Sequence, residues 1–336
     1  MNHSHSWGHE LQGHHGVTPR DMIIGGILFT LGATAVICGV LNIVSIVKVQ
    51  IFHNAFGALW ICRSIGEIGS SSVHVFYSGP VTFIQLCDIS PYFGIGAFTF
   101  GYFNSSVACL AHFQIAVNRW MAVWKPFQYA SVFSRRRTTI LIGVTWVVAF
   151  AIVSMYHGSS RLLASTFTSF AAIPCQQVGF SPKKYEYVFV KCQSEPHLRS
   201  SLVGTLWNHI CFGICILTTL VDATTFAKIA HISWFQKSSL ASSPTFKLNK
   251  RFFLQTSIPN VFMVGAIYTI CFFNNGQTSI HDAEKSIRGV FPIVVLQGSH
   301  IINAIVLFIF NREVRQYFVR IPNTNVYQIN ESLSAS

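Results

Sequence analysis

Seven long stretches of mainly apolar residues divide this sequence and limit its fold more than any other feature. A helix needs about 20 such residues to cross about 30 Å of hydrocarbon, because each residue advances it by about 1.5 Å. The stretches cover residues 22–47, 55–77, 91–117, 139–157, 202–227, 252–273 and 288–310. They predict an all-α membrane protein, a seven-transmembrane helix bundle that occupies residues 22–310.

The small amount of charge also favours a membrane protein over a soluble one. Of the 336 residues, 51% are hydrophobic and only 10% are charged, whereas soluble domains carry about 25% charged residues. Lys and Arg are more frequent in the loops that are cytoplasmic if the N-terminus is extracellular, and cytoplasmic loops carry such an excess. We therefore expect an extracellular N-terminus. The net charge of +12 then faces the anionic inner leaflet of the bilayer, and we expect no nucleic-acid partner.

The two ends of the chain differ in composition from the spans. Residues 1–21 carry histidines among Ser and Gly, which cannot bury apolar surface, and we expect a disordered extracellular segment. The histidines have no accompanying Cys or carboxylate spacing, so we expect no metal there. Apolar residues repeat at helical spacing over 311–321 and favour a short amphipathic helix in the inner interface. Residues 322–336 are expected to form a cytoplasmic tail.

Two ionisable residues are predicted deep in a span. Arg63 and Glu67 lie four positions apart, on one face of the second helix, and we expect them to pair inside the bundle. A structural pair is favoured over a ligand or cation contact at Glu67, because each charge neutralises the other. In the sixth stretch, Pro259 removes a backbone hydrogen bond and predicts a kink.

The third stretch ends in Asn118-Arg119-Trp120, and Pro126 ends the helix soon afterwards. Arg119 can serve as a charge at the end of a helix, extending its head group to the inner interface beside aromatic residues. A signalling role at the same position is equally compatible with the residues. Their chemistry alone leaves both interpretations open.

The longest connection, residues 158–201, contains a predicted hairpin. Residues 178–180 precede a turn, and alternating side chains from Tyr185 to Phe189 follow it. Three cysteines lie in predicted outer loops, where a disulfide can persist: Cys87, Cys175 and Cys192. The other six cysteines lie in spans and need no functional explanation, because a free thiol there behaves as a small apolar group.

Several of these motifs resemble a known family. Asn118-Arg119-Trp120, Pro126-Phe127-Gln128-Tyr129 and the Phe-Asn-Arg-Glu-Val-Arg run at 310–315 resemble the nematode serpentine chemoreceptors of class X, within the rhodopsin-like G-protein-coupled receptor superfamily. The resemblance implies that Arg119, with its neighbours, engages a heterotrimeric G protein. It also implies the plasma membrane of a sensory neuron. A further implication is that Cys87 bonds to a cysteine of the second outer loop.

The sequence departs from the superfamily in two places. Asn118 stands where an acid is usual, and Asn303-Ala304 with Leu307 stands in place of Asn-Pro-x-x-Tyr. An acid beside Arg119 would hold it as a charge pair, whereas Asn118 offers neutral hydrogen bonds. We therefore expect no ionic restraint on Arg119 in the resting state.

Pairing among the three outer cysteines has three possible connectivities. We favour Cys87 with Cys192, with Cys175 as the alternative partner. A bond between Cys175 and Cys192, closing the hairpin, is the main rival, because loop position alone does not settle pairing.

The resulting hypothesis is a chemosensory receptor that binds a small molecule or peptide from outside and signals to a G protein. Aromatic residues of the third and sixth spans are candidates for the ligand cavity, since binding pockets favour aromatic linings: Phe93, Phe98, Phe100, Tyr102, Phe103, Phe272 and Phe273. A transporter or ligand-gated channel is the alternative, although no internal repeat is evident. An enzyme is disfavoured, because no catalytic group, cofactor motif or metal cluster lies in the spans.

Overall fold

Helices make up most of the structure, a computed structural model that describes residues 8–87, 89–158, 177–190, 202–235, 244–273 and 282–319. The helices are α1 (Pro19–Lys48), α2 (Ala55–Val73), α3 (Gly79–Ile84), α4 (Pro91–Trp124), α5 (Pro126–Val132), α6 (Arg135–Gly158), α7 (Leu202–Phe235), α8 (Pro244–Phe273) and α9 (Asp282–Phe310). Residues 312–319 form a last helical segment, α10. Two strands, β1 (Val178–Ser181) and β2 (Glu186–Phe189), form a hairpin.

The outward faces of the long helices are apolar. Large side chains such as Ile23, Val147, Phe150 and Leu220 are each more than half exposed on them. By length and composition, four helices of the described residues can cross a membrane: Pro19–Lys48, Arg135–Met155, Leu206–Ser233 and Gly289–Phe310. The protein is therefore a helical membrane bundle. The predicted stretches 55–77, 91–117 and 252–273 are also helical, but the total of seven spans stays a prediction.

The second span is longer than the sequence predicted. After α2, a π-helical turn over His74–Ser78 leads directly into α3, so the helix continues to Ile84 instead of ending near residue 77. Pro80 explains the turn, because a proline lacks the N–H that continues an α-helical ladder and a wider π turn accommodates this. The widened turn buries Tyr77 and Ser78 in the bundle.

Glycines allow α2 to pack closely against its neighbours. A Cβ atom at Gly66 would lie 2.6 Å from the carbonyl oxygen of Asn104 and 2.9 Å from the amide nitrogen of Ala108, both in the backbone of α4. On the other side, Gly32 of α1 lies against the backbone of Ser71. Any side chain at these positions would push two helices apart, so glycine sets the spacing of α1, α2 and α4.

The N-terminal segment corrects the sequence prediction. Residues 1–21 were expected to be disordered, but residues 8–18, here called the N-terminal strap, run across the end of the bundle where α1 begins. We call this the outer end. The strap forms a short 3-10 helix, His9–Leu11, and Leu11 is buried among Ile95 and Val190. The composition of the N-terminal strap did not predict this ordered structure. One buried leucine and long-range hydrogen bonds hold the strap, and neither produces a local apolar pattern in the sequence. Residues 1–7 lie outside the described part.

The predicted hairpin is present, with Phe180 opposite Tyr187 in an antiparallel register. Phe180 is fully buried against α2, α3 and α9, so the hairpin packs onto the outer end of the bundle. Tyr185 differs from the prediction. It lies in the turn with a φ of 56°, not in the second strand.

The chain after α9 turns back onto the end of the bundle where α1 finishes, here called the inner end. Val314 of α10 is buried in a cluster with Phe52, Phe56 and Leu307, and Tyr317 packs against the same cluster. The predicted amphipathic helix over 311–321 is helical over 312–319. Its position in the membrane interface stays a prediction, and the predicted tail over 322–336 lies outside the described residues.

The close approach of α2 and α4 predicts the outcome of a pair of substitutions. We expect Gly66→Ala to lower the free energy of unfolding by about 1–3 kcal/mol, because the methyl group overlaps backbone atoms that have little room to move. Gly26→Ala is the matched control, since nothing lies within 4 Å of its Cβ position. Thermal unfolding in detergent would compare them, and an unchanged midpoint for Gly66→Ala would contradict the packing described.

Candidate functional site

A buried ion pair lies in the interior of the bundle. The guanidinium Nε of Arg63 donates to the Oε1 of Glu67 at 2.7 Å, and both side chains are almost completely buried. The other carboxylate oxygen, Oε2, accepts from the side-chain amide of Asn303 in α9 at 3.0 Å. The pair therefore links α2 to α9. This contact also gives a role to Asn303, which matches the Asn of Asn-Pro-x-x-Tyr, whereas Ala304 and Leu307 depart from that motif.

Sequence analysis missed several polar residues inside the predicted spans. His112 of α4 and His300 of α9 are buried near Arg63, and the hydroxyl of Ser71 lies 3.1 Å from the Nδ1 of His300. Asp222 of α7 is buried as well and accepts from the side-chain amide of Asn260 in α8. The predicted pair of Arg63 and Glu67 is present, but further ionisable side chains that the sequence analysis did not single out are buried in the described helices. These His and Asp residues are visible in the sequence. The mean hydropathy of a long stretch, however, changes little when the stretch contains one polar residue.

A carboxylate organises the outer end of the bundle. Asp21, at the start of α1, is completely buried. Its Oδ1 accepts from the side-chain amide of Gln85 at 2.8 Å and from the hydroxyl of Tyr185 at 2.6 Å. Its Oδ2 accepts from the backbone N–H and the hydroxyl of Thr18, both at 2.7 Å, and lies 3.4 Å from the ring Nε2 of His14. Asp21 thus joins the N-terminal strap, the end of α3 and the hairpin.

Two partners of Asp21 have an unusual backbone conformation. Gln85 and Tyr185 have φ angles of 53° and 56°, the left-handed region that non-glycine residues rarely adopt. Among the described residues they are the two non-glycine residues with positive φ. Such strain persists where surrounding contacts over-determine it. Burial, together with the bond to Asp21, raises the pKa of Tyr185 to about 12, so the phenol keeps the proton that it donates.

The strap and the hairpin together form what we call the outer lid, residues 8–18 and 178–189. The backbone N–H of Gly13 donates to the carbonyl of Leu86 at 2.8 Å, and the N–H of His14 lies 3.3 Å from the side-chain oxygen of Gln85. Gln85 also donates to the carbonyl of Pro182 in the hairpin. Backbone and side-chain hydrogen bonds therefore connect the two parts of the outer lid through the end of α3.

An aromatic cluster lies beneath the outer lid. Phe98 stacks on Tyr102 with ring centroids 5.3 Å apart, and its ring lies equally far from that of Tyr187 in the hairpin. The hydroxyl of Tyr102 lies 3.4 Å from the side-chain oxygen of Asn208 in α7. We call Phe98, Tyr102, Tyr187 and Asn208 the outer aromatic cluster. Burial raises the pKa of Tyr187 to about 12, so this group is neutral and can take part in hydrogen bonds.

Other predicted cavity residues lie elsewhere. Phe93 is 63% exposed and contacts Tyr77 edge-on, while Phe100 is half exposed on the outward face of α4. Phe103 packs against Trp146 of α6, which is a contact between helices. These three residues do not join the outer aromatic cluster. The side chains of Phe272 and Phe273 lie outside what the structure describes.

The predicted disulfide is not tested by the structure. Cys87 is half buried, with its sulfur 3.8 Å from the Nδ1 of His15. Its predicted partners, Cys192 and the alternative Cys175, lie outside the described residues. The pairing stays a prediction. For metals, the described part of the chain contains no group of three or more His, Cys, Asp or Glu side chains that could hold an ion.

The inner end of α4 positions the Asn118-Arg119-Trp120 motif. The helix continues through this motif to Trp124, so Arg119 is in a helix and not at its end. Its guanidinium carbon lies 3.3 Å from the ring centroid of Phe56 in α2, and the residue is only 3% exposed. This burial contradicts the interpretation in which Arg119 extends its charged head group to the membrane interface. The contact with an aromatic face is attractive for a cation.

The residues on either side of Arg119, Asn118 and Trp120, also make defined contacts. The side-chain amide of Asn118 donates to the hydroxyl of Tyr129 in α5 at 3.2 Å. Trp120 stacks on Trp124 with centroids 6.3 Å apart, and the ammonium of Lys228 in α7 lies over Trp124 at 5.2 Å. Asn118 thus supplies a neutral hydrogen bond, as its chemistry predicted, and uses it to anchor α5.

Polar contacts also link the inner half of α8 to the end of α9. The guanidinium of Arg251 pairs with the carboxylate of Glu313 in α10, the closest atoms being 3.0 Å apart. One helical turn further along, the side-chain oxygen of Gln255 accepts from the amide of Asn311 at 2.6 Å. Pro259 lies within the same helix, four residues beyond Gln255.

Comparison with known proteins agrees with this architecture. Residues 29–311 match the family described as serpentine type 7TM GPCR chemoreceptor Srx. The match covers most of the chain and nearly all of the helices. The chain belongs to this family.

Two relatives illustrate the range of similar proteins. Serpentine receptor class X 45 of Caenorhabditis elegans is 23% identical over 260 residues, which is 74% of this chain and 64% of that protein. Human olfactory receptor 6C75 is 21% identical over 217 residues, which is 65% of this chain and 63% of that protein. The chain thus spans a little under two thirds of the length of each relative. The Srx family is a family of receptors, not of enzymes.

The hydrogen bonds of Asp21 predict that losing one of them makes the outer lid open more often. In a Leu11→Cys background, we expect Tyr185→Phe to increase labelling by a membrane-impermeant maleimide roughly tenfold, because a hydrogen bond to a charged group contributes about 1.5–3 kcal/mol. Labelling rates on intact cells, read by peptide mass, would measure this. Tyr92→Phe, at an exposed tyrosine of α4, is the control. Equal rates in the two variants would show that the bond to Asp21 does not hold the strap.

Proposed function

We propose that this Srx-family chain is a chemosensory G-protein-coupled receptor with seven spans and an extracellular N-terminus, located in the plasma membrane of a sensory neuron. The observation that carries the proposal is Arg119, buried at the inner end of α4 and held on the ring of Phe56. The contact between this buried cation and an aromatic face is attractive and places Arg119 at the inner end of the bundle. Membership of a receptor family supports the interpretation of this arrangement as part of a signalling site.

The outer aromatic cluster supports binding of a small molecule. Phe98, Tyr102 and Tyr187 offer π faces, and Asn208 adds an amide. Binding sites of this kind are mainly apolar, with a few polar groups that fix orientation. Trp207 extends the apolar surface towards Met263 and donates its indole N–H to the hydroxyl of Ser106 at 3.1 Å. A peptide ligand is compatible with the same surface only if the outer lid opens.

Signalling requires two arrangements of the bundle. A ligand shifts the balance between them only by the difference in its affinity for the two. Helix α4 carries Phe98 and Tyr102 of the outer aromatic cluster near its start and Arg119 near its end. A displacement of this helix would therefore couple the two sites. In the active arrangement we expect Arg119 to leave Phe56 and to contact the G protein.

Helix α5 supports the position of the G-protein contact. Phe127 is completely exposed, and no residue of this helix is buried. An exposed aromatic residue is a favourable anchor for a protein partner. The bond from Asn118 to Tyr129 holds this helix beside Arg119, so Phe127 and Arg119 would form one docking surface.

Two substitutions test the proposal in cells that report a second messenger. Across a panel of volatile and water-soluble small molecules, we expect wild type to respond and Arg119→Ala to lose the response. Phe127→Ala should weaken it roughly thirtyfold, because truncating an aromatic residue that anchors an interface costs about 2 kcal/mol. Phe150→Ala, on the outward face of α6, is the matched control.

Receptor present at the cell surface would be measured for each variant, so that loss of expression is separated from loss of coupling. A response that survives Arg119→Ala at normal surface level would contradict the proposal. So would ion conduction by the purified protein in liposomes without any G protein, which would favour a ligand-gated channel.

A further inference from the structure

The buried guanidinium of Arg63 has more hydrogen-bond donors than Glu67 uses. Its Nε donates to the carboxylate of Glu67, whereas its buried Nη1 and Nη2 have no hydrogen-bond partner among the described residues. A guanidinium carries five N–H groups and cannot accept a hydrogen bond. The remaining N–H groups of Arg63 therefore need acceptors, because a buried donor without one is costly.

His112 of α4 lies opposite these donors. Helices α2 and α4 run in opposite directions, and Gly66 lies against the backbone of Asn104 and Ala108. One turn nearer the inner end, Arg63 and His112 are therefore at the same level. His112 is buried near Arg63, and neither ring nitrogen has a hydrogen-bond partner in the described part of the chain. In either protonation state an imidazole donates from at least one nitrogen.

Two further donors lie at this level of the bundle. Trp60 precedes Arg63 by one turn on the same face of α2. Asn42 of α1 lies one turn nearer the inner end than Gly39, which contacts the side chain of Ile68. Within the described ranges, the indole nitrogen of Trp60 and the side-chain amide nitrogen of Asn42 are buried without a hydrogen-bond partner. Both groups only donate, so donors predominate around Arg63.

The surroundings of these donors favour an anion over water. Cys109 of α4 and Cys215 of α7 lie within electrostatic reach of Arg63, and buried thiols behave as small apolar groups. A water molecule would bring donors of its own, and the unpaired side-chain oxygens of Asn303 and Ser64 are few acceptors for them. An anion accepts several hydrogen bonds at once, and those from a charged donor in apolar surroundings are strong.

Close helix packing limits the size of such an anion. A Cβ atom at Gly66 would already overlap the backbone of α4, one turn from Arg63. Packed interiors leave few spaces larger than a water molecule. A halide ion is small and spherical and accepts hydrogen bonds from any direction, whereas a polyatomic anion would have to move the two helices apart.

We propose that the donors of Arg63 and His112 form a binding site for a small monovalent anion, of which chloride is the abundant example. The anion accepts from the Nη groups of Arg63 and from the ring of His112, while Glu67 keeps the Nε. It thereby links α2 to α4 beside the contact at Gly66. This inference goes beyond the proposed function, because it assigns a ligand to the bundle interior independently of signalling.

Thermal unfolding of the purified chain in detergent tests the site. At constant ionic strength, replacing gluconate by chloride should raise the midpoint by about 2–4 °C, because a ligand that binds the folded state stabilises it. Bromide should have a similar effect. Arg136→Gln, which removes an exposed cation of α6, is the control and should keep the full rise.

Two variants show whether the chloride effect comes from this site. His112→Phe removes the ring N–H and keeps an aromatic ring, so the chloride concentration that gives half of the rise should increase about tenfold. Arg63→Gln with Glu67→Gln removes both charges together, so that no buried charge is left unpaired. This double variant should lose the rise.

Equal wild-type midpoints in chloride and in gluconate would overturn the inference and leave water as the partner of these donors. A rise that persists in the double variant, or an unchanged half-point in His112→Phe, would place the chloride effect elsewhere and would also overturn it. If the double variant does not fold, His112→Phe decides. Chloride NMR gives a measurement without unfolding: wild type should broaden the chloride signal, and His112→Phe should broaden it less at the same concentration.

Discussion

The buried pair of Arg63 and Glu67 constrains the rest of the bundle. A charge left unpaired inside a protein or a bilayer is expensive, and breaking a buried pair costs about 3–5 kcal/mol. Helix α2 must therefore turn this face away from lipid, towards α4 and α9, and Asn303 completes the coordination of the carboxylate. Glycines at the α1 and α4 contacts permit the close packing that excludes lipid from the pair. The apolar faces of the helices are then left on the outside.

This orientation separates two functional ends. At the outer end, Asp21 holds the strap and the hairpin over the outer aromatic cluster. At the inner end, Arg119 of α4 rests on Phe56, and the ion pair of Arg251 with Glu313 joins α8 to α10. Phe98 and Arg119 share α4 and are about 30 Å apart at about 1.5 Å per residue. A rigid helix can carry a displacement over that distance, but coupling requires two discrete arrangements of its surroundings.

The sequence predicted those features whose cause is local. Apolar stretches located the long helices, alternation located the hairpin, and a spacing of four residues placed Arg63 beside Glu67. Features that depend on contacts between residues far apart in the sequence were not predicted. Asp21 meets Gln85 and Tyr185 at separations of 64 and 164 positions, and no local pattern connects them. The order of the strap and the pairing of Arg251 with Glu313 were missed for the same reason. The π turn before Pro80 extended the second span beyond the hydropathy boundary.

We propose that one membrane-embedded bundle presents its outer lid to the outside and Arg119 to the cytoplasm. Antibody access to epitope tags at the N-terminus and after residue 336, before and after cells are made permeable, tests this orientation. We expect the N-terminal tag to be stained on intact cells and the C-terminal tag to be stained only after permeabilisation. Staining of the C-terminal tag on intact cells would contradict it.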